Sequence, residues 1–233
     1  MKLLLGPANL QTEFELNVFK KVGPYSLTGG RLGFVNSIGV LLSGGLDSLA
    51  LLCVILTDLR DNNKLDSTSV ICFTVAKSDG PTYYVPRLIK KVEEHFNVKL
   101  THVTDIPNCI ESDKTGDMGQ LPIMIARKYN PNMILYTGVN RMAPDDVRPF
   151  KQRLQKDYGH STTGPLLAPF LFLHKPQILD ILFQLGCEDL LQYTHTCTVL
   201  DIGACGECYS CAERQWGFDA LSKVDPGTLY PDN

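Results

Sequence analysis

The chain has 233 residues, 44% hydrophobic and 20% charged, so it is neither disordered nor fibrous and is long enough for a layered core. Its 22 Lys and Arg against 25 Asp and Glu give a net charge of -3, with none of the basic excess of a nucleic-acid coat or a membrane-surface protein. Chemistry on small molecules is the expectation, with neither nucleic acid nor membrane as partner.

Residues 1–37 hold turn signals at Gly6-Pro7, Gly23-Pro24 and Gly29-Gly30 without a clear period, and read as an unassigned amino-terminal extension. From Ile38 the pattern changes. Ile38-Gly39-Val40-Leu41-Leu42 reads as a short apolar strand, followed by a Ser43-Gly44-Gly45 turn and a run from Ser48 to Arg60 long enough for a helix. Ser69 to Val75, rich in β-branched residues, reads as a second strand. Tyr83 to Phe96 follows, with Val85, Leu88, Ile89, Val92 and Phe96 at helical spacing. Val98 to Val103 and Met133 to Tyr136 are further strands, with a helix around Leu121 to Tyr129 between them. Strands alternating with helices predict an α/β fold, a Rossmann-like parallel sheet with helices on both faces. Pro176 suits the first turn of a last helix and Gly186 its stop. The nucleotide-binding domain is therefore set at 38–186, and the cysteine-rich remainder, 187–233, reads as a small metal-binding segment.

The longest apolar run, Leu49 to Leu56, is far shorter than the roughly 20 residues that cross a bilayer. Gly6, Pro7 and Asn9 interrupt the apolar start before a secretory core forms. The cytoplasm is the expected compartment.

Ser43-Gly44-Gly45-Leu46-Asp47-Ser48 falls where a parallel sheet places its ligand, between the carboxyl end of a strand and the amino end of a helix. Glycines admit an anion close to the backbone, and the helix's first N–H groups have no partner within the helix. Ser43 and Ser48 add hydroxyl donors. Asp47 is expected either to cap the helix or to share Mg2+ with a nucleotide. No Gly-Lys-Ser/Thr occurs, so the loop is not a Walker motif.

Cys197, Cys205, Cys208 and Cys211 place four thiolates within fifteen residues, two of the intervals being Cys-x-x-Cys. Four soft ligands suit tetrahedral Zn2+ and fill its coordination, so the site should be structural; an iron–sulfur cluster is the rival reading. His195, two residues before the first ligand, reads as a hydrogen-bonding neighbour of the site rather than a ligand. Cys53, Cys72, Cys109 and Cys187 lie outside the spacing.

Ser-Gly-Gly-x-Asp-Ser after an apolar strand resembles the signature of the ATP-pyrophosphatase superfamily. Taken with Thr137-Gly138-Val139 and Lys175, and with Thr194-His195-Thr196-Cys197 and Cys205-Gly206-Glu207-Cys208-Tyr209-Ser210-Cys211-Ala212-Glu213-Arg214 before Gly217-Phe218, it makes the chain resemble the 7-cyano-7-deazaguanine synthase family. The resemblance runs from about Ile38 to Phe218. It implies an adenine nucleotide alpha-hydrolase-like fold and an ATP-dependent carbon–nitrogen ligase. That enzyme converts 7-carboxy-7-deazaguanine and ammonia to the nitrile for queuosine biosynthesis. The implied cofactors are ATP, Mg2+ and structural Zn2+. Ser43, Gly44, Gly45, Leu46, Asp47 and Ser48 would bind ATP, Asp47, Ser48 and Lys175 would act in catalysis, and Asp146 and Arg148 would bind substrate. Small molecules are the implied partners, and a homodimer is left open.

The chain departs from the family in three places. It spends 42 residues before the loop, it has Thr74-Val75-Ala76-Lys77-Ser78-Asp79-Gly80 in place of Asp-Tyr-Gly-Gln-x-His, and Gly119-Gln120-Leu121-Pro122 in place of Pro-Gly-Arg-Asn. A diverged member is the form expected. The alternatives are a relative acting on another substrate, as in tRNA thiolation or amide formation, and a nucleotide-binding module without catalysis.

Overall fold

The computed structural model describes residues 1–18, 37–75, 81–105, 121–131, 133–144, 146–147 and 166–227. Its centre is a five-stranded parallel sheet of β3 (Ser37–Leu41), β4 (Ser69–Val75), β5 (Thr101–Asp105), β6 (Ile134–Tyr136) and β7 (Leu166–Leu167), in the order β5-β4-β3-β6-β7. Ile38 of β3 stands beside Val70 of β4 on one side and Ile134 of β6 on the other. The chain leaves β3 toward β4 and β5, then returns to lay β6 on β3's other edge. The strand order therefore reverses between β3 and β6, and their carboxyl ends flank the crevice that such sheets use for ligands.

Period-two alternation divides the core into two layers. Val70 and Cys72 face one layer, shared with helices α1 (Leu46–Asp61) and α2 (Val85–Phe96). Ile71 and Phe73 face the other, with Ala126 of α3 (Leu121–Tyr129), Met133 and Leu135. Helices thus cover both faces, as the sequence predicts. Helix α1 is apolar from Leu49 to Leu56 because it is enclosed on all sides, with every residue from Ser48 to Leu59 buried. Helix α2 is amphipathic, burying the five predicted positions, and ends where Asn97 turns left-handed at φ +53°. Helix α4 (Lys175–Gln184) begins next to Pro176 and is closed beyond Leu185 by Gly186 at φ +66°.

The amino-terminal residues form a two-stranded antiparallel ladder, β1 (Lys2–Leu5) with β2 (Thr12–Glu15). It is tied to α4: the Gly6 N–H donates to Asp180 at 2.8 Å, Gln177 to the Leu10 carbonyl at 2.7 Å and Gln184 to the Leu4 carbonyl at 2.8 Å. Leu5 and Phe14 join the same core as α1 and α4. Residues 187–227 contain a further helix, α5 (Tyr209–Ala220), which packs on α4. No helix among the described residues is long and apolar enough to cross a membrane.

Candidate active site and metal centre

The crevice between β3 and β6 is built by the glycine loop. Gly44 adopts φ +89°, a conformation that favours glycine, and its carbonyl accepts the His195 N–H at 3.1 Å. The Ser48 hydroxyl donates to the Gly45 carbonyl at 2.9 Å and lies 3.2 Å from both the Ser43 nitrogen and its hydroxyl. Ser48 thus closes the loop on itself. The helix cap is Gly45, not Asp47, because Asp47 already sits inside the first turn. Capping is therefore not the role of Asp47, and the first-turn amides receive no side-chain cap.

Asp47 instead meets Lys175. The lysine comes from the start of α4, 2% exposed, and its Nζ lies 2.5 and 2.6 Å from the two Asp47 oxygens. A second carboxylate, Glu213 of α5, stands 3.1 Å from the same nitrogen. Burial works against the ammonium, but the two carboxylates outweigh it and hold Lys175 above its usual range. Glu213 is anchored on its other oxygen by the Tyr209 hydroxyl at 3.1 Å, and that hydroxyl accepts the Ala143 N–H at 3.0 Å.

Asp47, Lys175 and Glu213 line a cavity of about 180 Å³ with Ser43, Gly45, Leu46, His195, Thr196, Thr198, Ser210 and Arg214. Arg214 is fixed by a fork onto Asp225 at 2.7 and 2.8 Å and by bonds to Thr194 and Thr196 at 2.9 and 3.1 Å. His195 stacks on Tyr84 with centroids 4.8 Å apart and bonds the Leu200 carbonyl through Nε2 at 2.8 Å. Open amides, hydroxyls and fixed cations suit a polyphosphate, and the Asp47 carboxylate suits a hard divalent cation beside it.

The four predicted cysteines converge, their sulfurs all within 4.8 Å of one another. The Leu200 N–H donates to Cys197 at 3.2 Å and the Cys208 N–H to Cys205 at 3.2 Å, contacts that favour thiolates. At Cys208 burial is outweighed by bonds from neighbouring groups, which bring the thiol down to about 6. Four soft donors in this arrangement fit a tetrahedral metal. Cys208 is also the N-cap of α5, so the metal knuckle launches the helix that carries Glu213 and Arg214.

The structure thus brings Ser43, Gly45, Leu46, Asp47 and Lys175 into one cavity wall. Asp146 is exposed in a turn and does not line it, while Arg148 and Cys109 lie outside the described residues. Sequence reasoning gave no role to Glu213, Arg214, Thr196, Thr198 or Ser210. Glu213 and Arg214, one residue beyond the last Cys-x-x-Cys and in a segment with few apolar positions, were the available signal.

The family model of "Queuosine biosynthesis protein QueC" matches residues 123–222, a stretch that holds Lys175 and all four cysteines but not the glycine loop. The chain is 33% identical over 68 residues to a 7-cyano-7-deazaguanine synthase of Chromobacterium violaceum, covering 29% of each chain. It is 33% identical over 91 residues to a 7-cyano-7-deazaguanine synthase of Methanosphaerula palustris, covering 39% of this chain and 40% of that one. The matches therefore span less than half the length of these curated relatives. Among solved structures, the U34-tRNA thiolase NcsA from Methanococcus maripaludis with its [4Fe-4S] cluster aligns with a TM-score of 0.42 and 18% identity, over 84% of this chain and 70% of that chain.

Proposed function

We propose that this chain, whose residues 123–222 belong to the queuosine biosynthesis protein QueC family, is an ATP-dependent ligase that joins ammonia to an adenylated carboxylate. The carboxylate is 7-carboxy-7-deazaguanine and the product 7-cyano-7-deazaguanine. The observation that carries this reading is the pairing of the buried Lys175 with the partly exposed Asp47 at the uncapped end of α1, where the strand order reverses.

In this reaction a carboxylate oxygen attacks the α-phosphorus of ATP and pyrophosphate leaves. Ammonia then displaces AMP from the acyl carbon and gives the amide. A second ATP adenylates the amide oxygen, and loss of AMP with the amide protons leaves the nitrile. The loop amides from Gly45 onward bind and orient the phosphates, and Lys175 offsets the charge gathering on departing pyrophosphate. Asp47 would hold Mg2+, which supplies charge neutralisation on the phosphate oxygens. Cys197, Cys205, Cys208 and Cys211 would hold Zn2+ with no open position, so that metal supports the fold of α5 and takes no part in the chemistry.

The test is incubation with Mg-ATP, ammonium and 7-carboxy-7-deazaguanine, followed by mass spectrometry. Nitrile and AMP together support the reading, and amide with AMP places the end point one step earlier. Failure to form AMP with this acid overturns the substrate.

A further inference from the structure

Lys175 is held by two carboxylates, and they are not equivalent. Glu213 is 6% exposed and fixed on its far oxygen by Tyr209 at 3.1 Å, whereas the Asp47 side chain is 27% exposed. Helix α5 is also pressed onto α4 beneath the lysine: a Cβ at Gly217 would come within 2.9 Å of the Lys175 Cγ and 2.6 Å of the Leu179 Cδ1. Glu213 therefore moves with Lys175 as one packed unit, while Asp47 belongs to the separate first turn of α1.

Charge arithmetic gives this asymmetry a use. One ammonium between two carboxylates leaves a single negative charge, and of the two acids Asp47 is the more open to the cavity. Were Asp47 its sole partner, turning Asp47 toward a cation would strand a buried ammonium, a costly state. With Glu213 present, the ammonium stays paired and Asp47 is free to change partner. Arg214, the other cation on this wall, does not compete for Glu213 because Asp225 already engages its fork.

We propose that Glu213 is a positioning residue that keeps Lys175 paired and in place while Asp47 exchanges the lysine for the divalent cation accompanying the nucleotide. This rests on the ATP reading given above and adds to it a division of labour between the two acids.

The experiment is calorimetric titration of the full chain with ATP, with and without Mg2+, comparing wild type with Glu213→Gln, Glu213→Asp and Tyr209→Phe. In wild type Mg2+ should raise ATP affinity. In Glu213→Gln the gain in ATP affinity brought by Mg2+, read as the ratio of the two affinities within that variant, should fall by about tenfold or more below the wild-type ratio. Glu213→Asp should restore part of that gain, and Tyr209→Phe, which keeps the charge and loosens its anchor, should lose a smaller part. If Glu213→Gln does not fold by circular dichroism, Tyr209→Phe and Glu213→Asp decide by the same comparison. Wild type that binds ATP with a Mg2+ gain, alongside folded variants whose gain is undiminished, overturns the role of Glu213 and leaves the ATP reading standing. Wild type that binds no ATP overturns both.

Discussion

Gly138, two residues beyond β6, meets the backbone of Asp47 so closely that a Cβ there would stand 3.0 Å from its carbonyl carbon and oxygen and 3.1 Å from the Ser48 nitrogen. The neighbour is backbone, which cannot swing aside as a flexible side chain would. Gly138→Ala should therefore push the first turn of α1 away from the crevice. Thermal unfolding should show a loss of about 1–3 kcal/mol, the usual range for overpacking, and AMP formation should fall with it. Wild-type stability and turnover in this variant would mean that the contact does not set the position of Asp47.

The metal knuckle and the cavity share α5, so losing one should disturb the other. Cys208→Ala removes both a ligand and the N-cap residue of that helix. Metal binding contributes directly to folding free energy, and the variant should be less soluble and bind ATP more weakly. Metal analysis of the wild type should return one zinc per chain; iron with a visible absorption band would assign the cysteines to a cluster instead.

Much of this was legible in the sequence because burial and period coincide there. Ser69–Val75 and Leu121–Tyr129 appear with the expected bounds, and Val85 to Phe96 bury the positions their spacing selects. Helix α5 was not legible because its buried face carries Cys211, Glu213, Arg214 and Gly217 beside Phe218, so no apolar stripe marks it. The β1–β2 ladder is short, and beyond the burial of Leu5 and Phe14 it is held by hydrogen bonds to Asp180, Gln177 and Gln184 some 170 residues away in sequence, which no local pattern records. The cysteine centre and the glycine loop could be read from spacing alone. The second carboxylate on Lys175 could not, since it depends on α5 packing against α4.

Arg214 joins three segments through one planar group, reaching Thr194, Thr196 and Asp225. Arg214→Lys keeps the charge and loses the fork. The exchange should destabilise the chain by about 1–3 kcal/mol, the scale of charge-assisted bonds lost in a buried site. Denaturant unfolding measures it. Equal midpoints for the two proteins would show that the fork is not needed to hold the 194–196 loop over the cavity.

Lys175 is the most deeply buried charge on the cavity wall, and Lys175→Met should reveal its role twice. Its first effect is on rate: kcat and kcat/KM for AMP formation should fall together, because the lost cation acts on charge that develops as pyrophosphate leaves. A second, structural effect follows from leaving Asp47 and Glu213 facing each other across an apolar side chain, which should cost about 3–5 kcal/mol near neutral pH. The pH dependence then separates the two proteins. In wild type the folded ammonium titrates above its ordinary range, so its contribution is fully present below that ordinary value and is lost as pH rises from there through the folded value. In the variant Asp47, which burial already raises, loses the ammonium that opposed that rise and binds a proton more readily folded than unfolded, so the deficit should shrink as pH falls toward 5 and widen toward 8. Melting temperatures of both proteins across that span test the argument, and a constant offset between them would show that the two acids do not interact once the lysine is gone. Adding Asp47→Asn to Lys175→Met should recover much of the lost stability without restoring AMP formation.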